Sequence, residues 1–117
     1  MKFIKLIIVM FMMLPLISFG QTLKLGSGVQ VVHFNANWNS ANDVKWVKGL
    51  SDCKIKSCDI ATDTKAQNKW EIVVVPTIII FNDGEEVKRF QADISFAMKA
   101  TEEEVQEKID EILMEGF

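Results

Sequence analysis

The sequence predicts an α/β fold of three layers, one mixed sheet between helices. Three stretches carry that expectation. Val29–Asn35 places Val31, Val32 and Phe34 in a short apolar run, the composition of a buried strand. The stretch "IVVVPTIIIFNDG" (72–84) joins two β-rich runs through Pro76 and ends in Asn82-Asp83-Gly84, a strong hairpin signal. Residues 101–114 bring Val105, Ile109, Ile112 and Leu113 to one side at helical spacing. A strand, a closing amphipathic helix and a hairpin between them require layers, because each buries only one face or stripe.

The remaining elements follow in order. Leu23, Lys24 and Leu25 read as a short first strand, and Gly26-Ser27-Gly28 as the turn after it. After Val29–Asn35, residues 41–50 are expected as a helix whose apolar side is Val44, Trp46 and Val47. Ser40 is placed to cap it, with Asp43 three residues on as the reciprocal acid. Residues 53–60 read as a second strand and residues 62–70 as a short helix or turn. Residues 72–75 and 77–81 form strand on either side of Pro76, and residues 86–90 return as the paired strand. Thr101 and Glu104 make a capping box for the last helix. Between them, Ala92, Ile94, Phe96, Met98 and Ala100 alternate with Asp93, Ser95, Ala97 and Lys99. That period of two predicts an extra extended segment at a sheet edge, one that covers the core or meets another chain, while Ile94, Ala97 and Met98 would also suit a helical turn.

The first twenty residues are expected to be a secretory signal peptide. Lys2 and Lys5 are followed by an apolar stretch over residues 6–19, and Ser18-Phe19-Gly20 offers small residues ahead of Gln21. The apolar stretch is broken by Pro15 and falls short of the ~20 residues of a spanning helix. The domain is then 21–117, exported to a periplasmic or extracellular space, with no membrane association once the leader is cleaved. That domain holds eleven basic and sixteen acidic residues, a net charge of −5. No Lys/Arg cluster breaks this balance, so nucleic acid is not an expected partner.

In the order of its elements and in particular residues, this chain resembles the thioredoxin family over roughly residues 29–115. The matching pieces are "VVHFNANW" (31–38), the approach to an active site; Val75-Pro76-Thr77, which the resemblance implies is a cis-proline loop; and "IIIFNDG" (78–84), the strand entering the hairpin. The family's dithiol does not carry over: its two cysteine positions match Asn39 and Asn42. Its buried carboxylate position matches His33, and the position of an accompanying lysine matches Ser57. Trp38 and Pro76 remain. The resemblance therefore implies a scaffold and a surface without the groups that move electrons.

Each feature also has a plainer reading. "NSAND" (39–43) serves either as a helix cap alone or as a cap whose exposed amides also bind a partner. Val75 and Pro76 either bend the chain or present backbone to an extended peptide by strand addition. His33, the one histidine, is expected buried and neutral, and no metal site follows from one histidine and two distant cysteines. Cys53 and Cys58 are even in number in an exported chain, which favours a bridge. Along one strand, however, they would stand about 16 Å apart and point to opposite faces.

Three functional readings stand together. The first is a binding module without dithiol catalysis that holds a peptide segment or protein partner near Trp38, Asn39, Ser40, Asn42, Val75 and Pro76. The second is a thiol-disulfide oxidoreductase using Cys53 and Cys58. The third is a structural protein that dimerises through the 92–100 edge. No cofactor is expected in any of them.

Overall fold

The computed structural model describes residues 23–116; the signal peptide expected at 1–20 lies outside the described residues. Four strands form one sheet: β1 Val29–Asn35, β2 Lys54–Asp59, β3 Thr77–Asn82 and β4 Glu85–Gln91. Their order across the sheet is β2-β1-β3-β4. β1 runs parallel to β2 and antiparallel to β3, and β3 pairs antiparallel with β4, so the sheet is mixed. Every residue of β1 is buried. It is a central strand covered on both faces, which explains why it sends apolar side chains both ways, Val29 and Val31 to one cluster and Val32 and Phe34 to the other.

The two faces bury separate clusters. On one, Val29, Val31, Ile78 and Ile80 pack against Val44, Val47 and Leu50 and against Val105, Ile109 and Ile112. The last three come from the helix α2, Glu102–Glu115. On the other face, Val32, Phe34, Ile79 and Phe81 pack against Ile60, Ala66, Ile72 and Val75. Ala66 belongs to the short helix α1, Thr64–Lys69. Three layers result, as the sequence predicts.

Local chemistry sets the element ends. Thr101 accepts the Glu104 N–H at 3.2 Å at the start of α2, the expected cap. Asp63 does the same for α1, accepting from the Ala66 N–H at 3.1 Å, while its other oxygen accepts from the Leu23 N–H at 2.8 Å. In the β3–β4 turn both Asp83 and Gly84 have positive φ, 52° and 84°, the paired left-handed residues that match the twist of a hairpin.

Four expectations need correction. Residues 23–25 form no strand; Leu23 and Leu25 instead lay their side chains against the second cluster. Residues 72–75 form no strand, because the chain there is still closing off α1 and then bends at 74–76. The Ile72 N–H donates to Gln67 O at 3.0 Å, and Glu71 sits at a φ of 51°. Residues 92–100 form no strand and are built around a turn at 93–96. Asp93 gathers the Ser95 N–H at 2.9 Å and the Ser95 hydroxyl at 2.5 Å, and its carbonyl accepts the Phe96 N–H at 3.1 Å. That is turn chemistry, with an aspartate side chain standing in for backbone.

The fourth correction concerns 41–50, which contains no α-helix. Two 3-10 segments, Asn37–Asn42 and Lys45–Gly49, flank Asp43 and Val44. The break has a cause: the Val44 N–H donates to His33 Nε2 at 3.3 Å, so it is taken from the helical ladder. Ser40 caps nothing, since the first segment begins before it and the residue at its start is Ala36.

Candidate functional site

The site begins where β1 ends. Phe34 pairs with Thr77, the first residue of β3, so the chain leaving β1 at Ala36 and the chain entering β3 from Pro76 emerge at the same end of the sheet. The Val75–Pro76 peptide bond is cis. The 92–100 turn reaches both: the Ala92 N–H donates to Pro76 O at 3.0 Å, and Phe96 O accepts from Asn39 Nδ2 at 3.2 Å. Sequence order separates these three segments widely, and topology assembles them.

Asn39 is the centre of the assembly. It is only 6% exposed. Its Nδ2 also donates to Asn35 Oδ1 at 3.0 Å, and its Oδ1 accepts from Asn42 Nδ2 at 2.9 Å. Asn35 Nδ2 donates to Asn39 O at 3.1 Å and to Asp43 Oδ1 at 2.5 Å. Three amides and one carboxylate thus satisfy one another at the mouth of β1. Buried amides are costly unless every donor and acceptor is paired, and here the pairing is reciprocal. The amide side chain of Asn39 is committed inward and is not free to engage a partner.

The other expected binding residues divide. Trp38, Ser40 and Asn42 lie at the surface, Trp38 with 64% of its area exposed. Val75 and Pro76 are buried, Val75 with its side chain in the second cluster. The expectation that the Val75 backbone is presented outward is therefore corrected: the whole residue is 3% exposed, and Thr77 Oγ1 fastens the loop by donating to Val74 O at 2.6 Å. What stands outside is Trp38 with Phe96, ring centroids 5.5 Å apart and edge to face. Phe96 holds a φ of 63°, a left-handed conformation unusual for an aromatic residue.

His33 is buried beneath this end of the sheet. Burial pushes its imidazole below the ordinary value, and the nearby Asp43 carboxylate pulls the other way with less effect. The ring is neutral, as the sequence predicts, and Nε2 acts as an acceptor.

The cysteines are not brought together. Both are free thiols. Cys53 packs against the first cluster and Cys58 belongs to the second, on opposite faces of the sheet. Burial, then the Asp63 carboxylate 3.8 Å from the sulfur, and Asp59 push the Cys58 thiol up to about 12. Burial and Asp52 also raise Cys53. Neither yields the thiolate that disulfide exchange requires. Among the described residues no group of three or more His, Cys, Asp or Glu could hold a metal ion, and no helix is long and apolar enough to cross a membrane.

No family model matches the chain, and no curated protein matches it. Solved structures do. A thioredoxin from Halobacterium salinarum, an N21Q mutant, superposes with a TM-score of 0.58 at 19% identity, over 73% of this chain and 74% of that one. A Schistosoma mansoni thioredoxin gives 0.58 at 22% identity, over 75% and 80%. Fasciola hepatica thioredoxin gives 0.54 at 23%, over 74% and 82%. The chain has the thioredoxin fold.

Within this thioredoxin fold, sequence reading located the surface tryptophan and the proline loop but missed three residues that build the site. Asn35 and Asp43 complete the amide network, and Phe96 joins the 92–100 turn to it. A signal was present for Asn35. Asn35, Asn39 and Asn42 recur at spacings of four and three, the interval at which side chains on one turn meet. Phe96 left no such trace, since its contact spans 57 residues of chain.

Proposed function

We propose that the chain is an exported protein- or peptide-binding module built on the thioredoxin fold and working without dithiol catalysis. One observation carries the reading. The place where the family resemblance puts the cysteine pair is filled by an interlocked set of amides, and an exposed aromatic pair, Trp38 and Phe96, is mounted on it. Amides so paired are neither nucleophiles nor redox groups. A tryptophan whose ring already packs on Phe96 has less side-chain entropy to lose on contact, which suits a binding anchor. The surface polar groups around it, Ser40 and Asn42, suit a partner's backbone rather than a charged ligand. Strand addition at Val75 is no part of this reading, because that residue is buried.

The oxidoreductase alternative finds no support in two thiols raised by burial on opposite faces of one sheet. Dimerisation through a 92–100 edge strand loses its basis with the strand itself.

The test is a peptide array of unfolded-protein sequences probed with the domain from residue 21. Binding to apolar-containing peptides that Trp38→Ala reduces at least tenfold would support the reading. Retention of binding by that variant, or absence of binding across the array, would remove it. An insulin-reduction assay run alongside should show no turnover.

A further inference from the structure

His33 takes no part in that surface, yet it holds the chain that carries it. Its Nε2 accepts the Val44 N–H at 3.3 Å, at the break between the two 3-10 segments. A neutral ring that accepts at Nε2 keeps its proton on Nδ1, so an added proton must arrive at Nε2 itself. Two N–H groups would then face each other, and the bond to Val44 cannot survive. The ring is only 7% exposed, but it lines a cavity of about 210 Å³ at the carboxyl ends of β1 and β2. That cavity gives protons a way in.

The surroundings of the ring decide what a new positive charge does. β3 offers its register partner Ile78, and α2 packs on this face of the sheet with Val105, Ile109 and Ile112. β2 offers Ser57, the partner in register, with Cys58 and Asp59 further along the cavity wall. The first 3-10 segment and the residue after it offer Ser40 and Asp43. No lysine or arginine lines this space, and Lys45, next after Val44, is exposed. Asp43 is the charge that acts on the ring. An imidazolium draws its carboxylate in, whereas the neutral ring leaves it to Asn35.

Asp43 is also the first link in a chain of bonds to the surface. Its Oδ1 accepts from Asn35 Nδ2 at 2.5 Å, and Asn35 Oδ1 accepts from Asn39 Nδ2 at 3.0 Å. That same Nδ2 donates to Phe96 O at 3.2 Å, and Trp38 packs on the Phe96 ring. Loss of the Val44 bond and the pull on Asp43 therefore act on adjacent residues of the segment that bears Trp38.

We propose that His33 is a proton switch for the Trp38–Phe96 surface: a proton on its ring frees Val44, draws Asp43 from Asn35 and loosens the aromatic pair. The ordered surface belongs to neutral conditions and is lost in acid. Its use as regulation rests on the binding reading above; the coupling itself does not. Burial holds the ring below its ordinary value, so the change falls on the acid side of 6.5.

The experiment is an NMR titration of the domain from residue 21 between about pH 7.5 and 4.5, following the His33 ring, the backbone amides and the three indole N–H groups. The Val44 and Phe96 amides and the Trp38 indole should shift with the midpoint of the His33 ring, while Trp46 and Trp70 stay in place. Asp43→Asn keeps an oxygen for Asn35 but removes the charge, so the ring midpoint should fall and that of Trp38 should fall with it. In His33→Gln the Trp38 shift should vanish. A Trp38 that stays still while the ring protonates, or that moves at another midpoint, would overturn the proposal. So would an unchanged shift in His33→Gln, or all three indoles moving together as the fold is lost. The wild-type midpoints decide even where a variant fails to fold. No peptide is present, so this result and that of the peptide array stand or fall separately.

Discussion

Asn39 matches Asn35 in side-chain hydrogen bonds at the mouth of β1, and it alone of the two also reaches the 92–100 turn. Replacing it with alanine leaves Asn35 Oδ1 and Phe96 O without that donor and Asn42 Nδ2 without its acceptor. A buried polar group left unpaired costs about 1–3 kcal/mol. Asn39→Ala should therefore lower the unfolding free energy by roughly 2 kcal/mol, read as a fall in the urea midpoint at unchanged slope. His33 belongs at the same scale. Its folded pKa is depressed by burial, so between that value and the ordinary 6.5 the unfolded chain binds the extra proton. Stability should be full above about pH 6.5 and decline as pH falls below it. His33→Gln should flatten that decline, measured by urea unfolding between neutral and mildly acid pH. An unchanged slope in the variant would mean that another group is responsible.

At the scale of elements, the 92–100 turn decides how the surface is presented. Asp93 holds it together, and its carboxyl sits at about 2, lowered by hydrogen bonds from the Ser95 side chain and backbone and by Lys99, 3.2 Å away. The sign is opposite to that of His33: this contribution is present above the ordinary carboxylate range and is lost as pH falls toward 2. Asp93→Ala should free the turn, loosen Phe96 from Trp38 and leave the core intact. The indole N–H resonance of Trp38 should shift while those of Trp46 and Trp70 stay in place. Movement of all three would show that the turn braces the whole fold. Ile94, 97% exposed at the tip of this turn, rests on none of its bonds.

For the whole molecule, the sheet acts as a partition. Cys53 and Cys58 are separated by it, and the thiol of Cys58 is raised to about 12. Mass spectrometry after alkylation in denaturant, with and without prior reduction, should find two free thiols even when the protein has been held under oxidising conditions. A bridge that forms in the native state would require β2 to leave the sheet, and its detection would restore the oxidoreductase reading. The same partition separates the two cores. Ile109→Ala on α2, opening space in the first cluster, should cost about 2–5 kcal/mol, seen as a lowered urea midpoint, without disturbing the Trp70–Phe81 ring contact in the second.

The sequence by itself determined the layers. Val31, Val32 and Phe34 in the first strand and the run Ile78 to Phe81 in the third mark buried strands, the 101–114 helix has its own cap and period, and Asp83-Gly84 can adopt the hairpin geometry with no outside help. In each case the deciding interaction lies within a few residues, where propensity and pattern act. It also placed His33 in a buried strand and Trp38 at a strand's end. The tertiary structure alone decided the conformation of 37–50 and of 92–100. There the local signals, a capping pair at Ser40 and Asp43 and an alternation from Ala92 to Ala100, were outweighed by contacts from elsewhere in the chain. His33 takes the Val44 N–H out of the helix, Asp43 accepts from Asn35 in place of capping, and Phe96 O is held by Asn39. A buried polar group must find its partner wherever the fold supplies one, and that requirement outweighs the few tenths of a kcal/mol by which local preference differs.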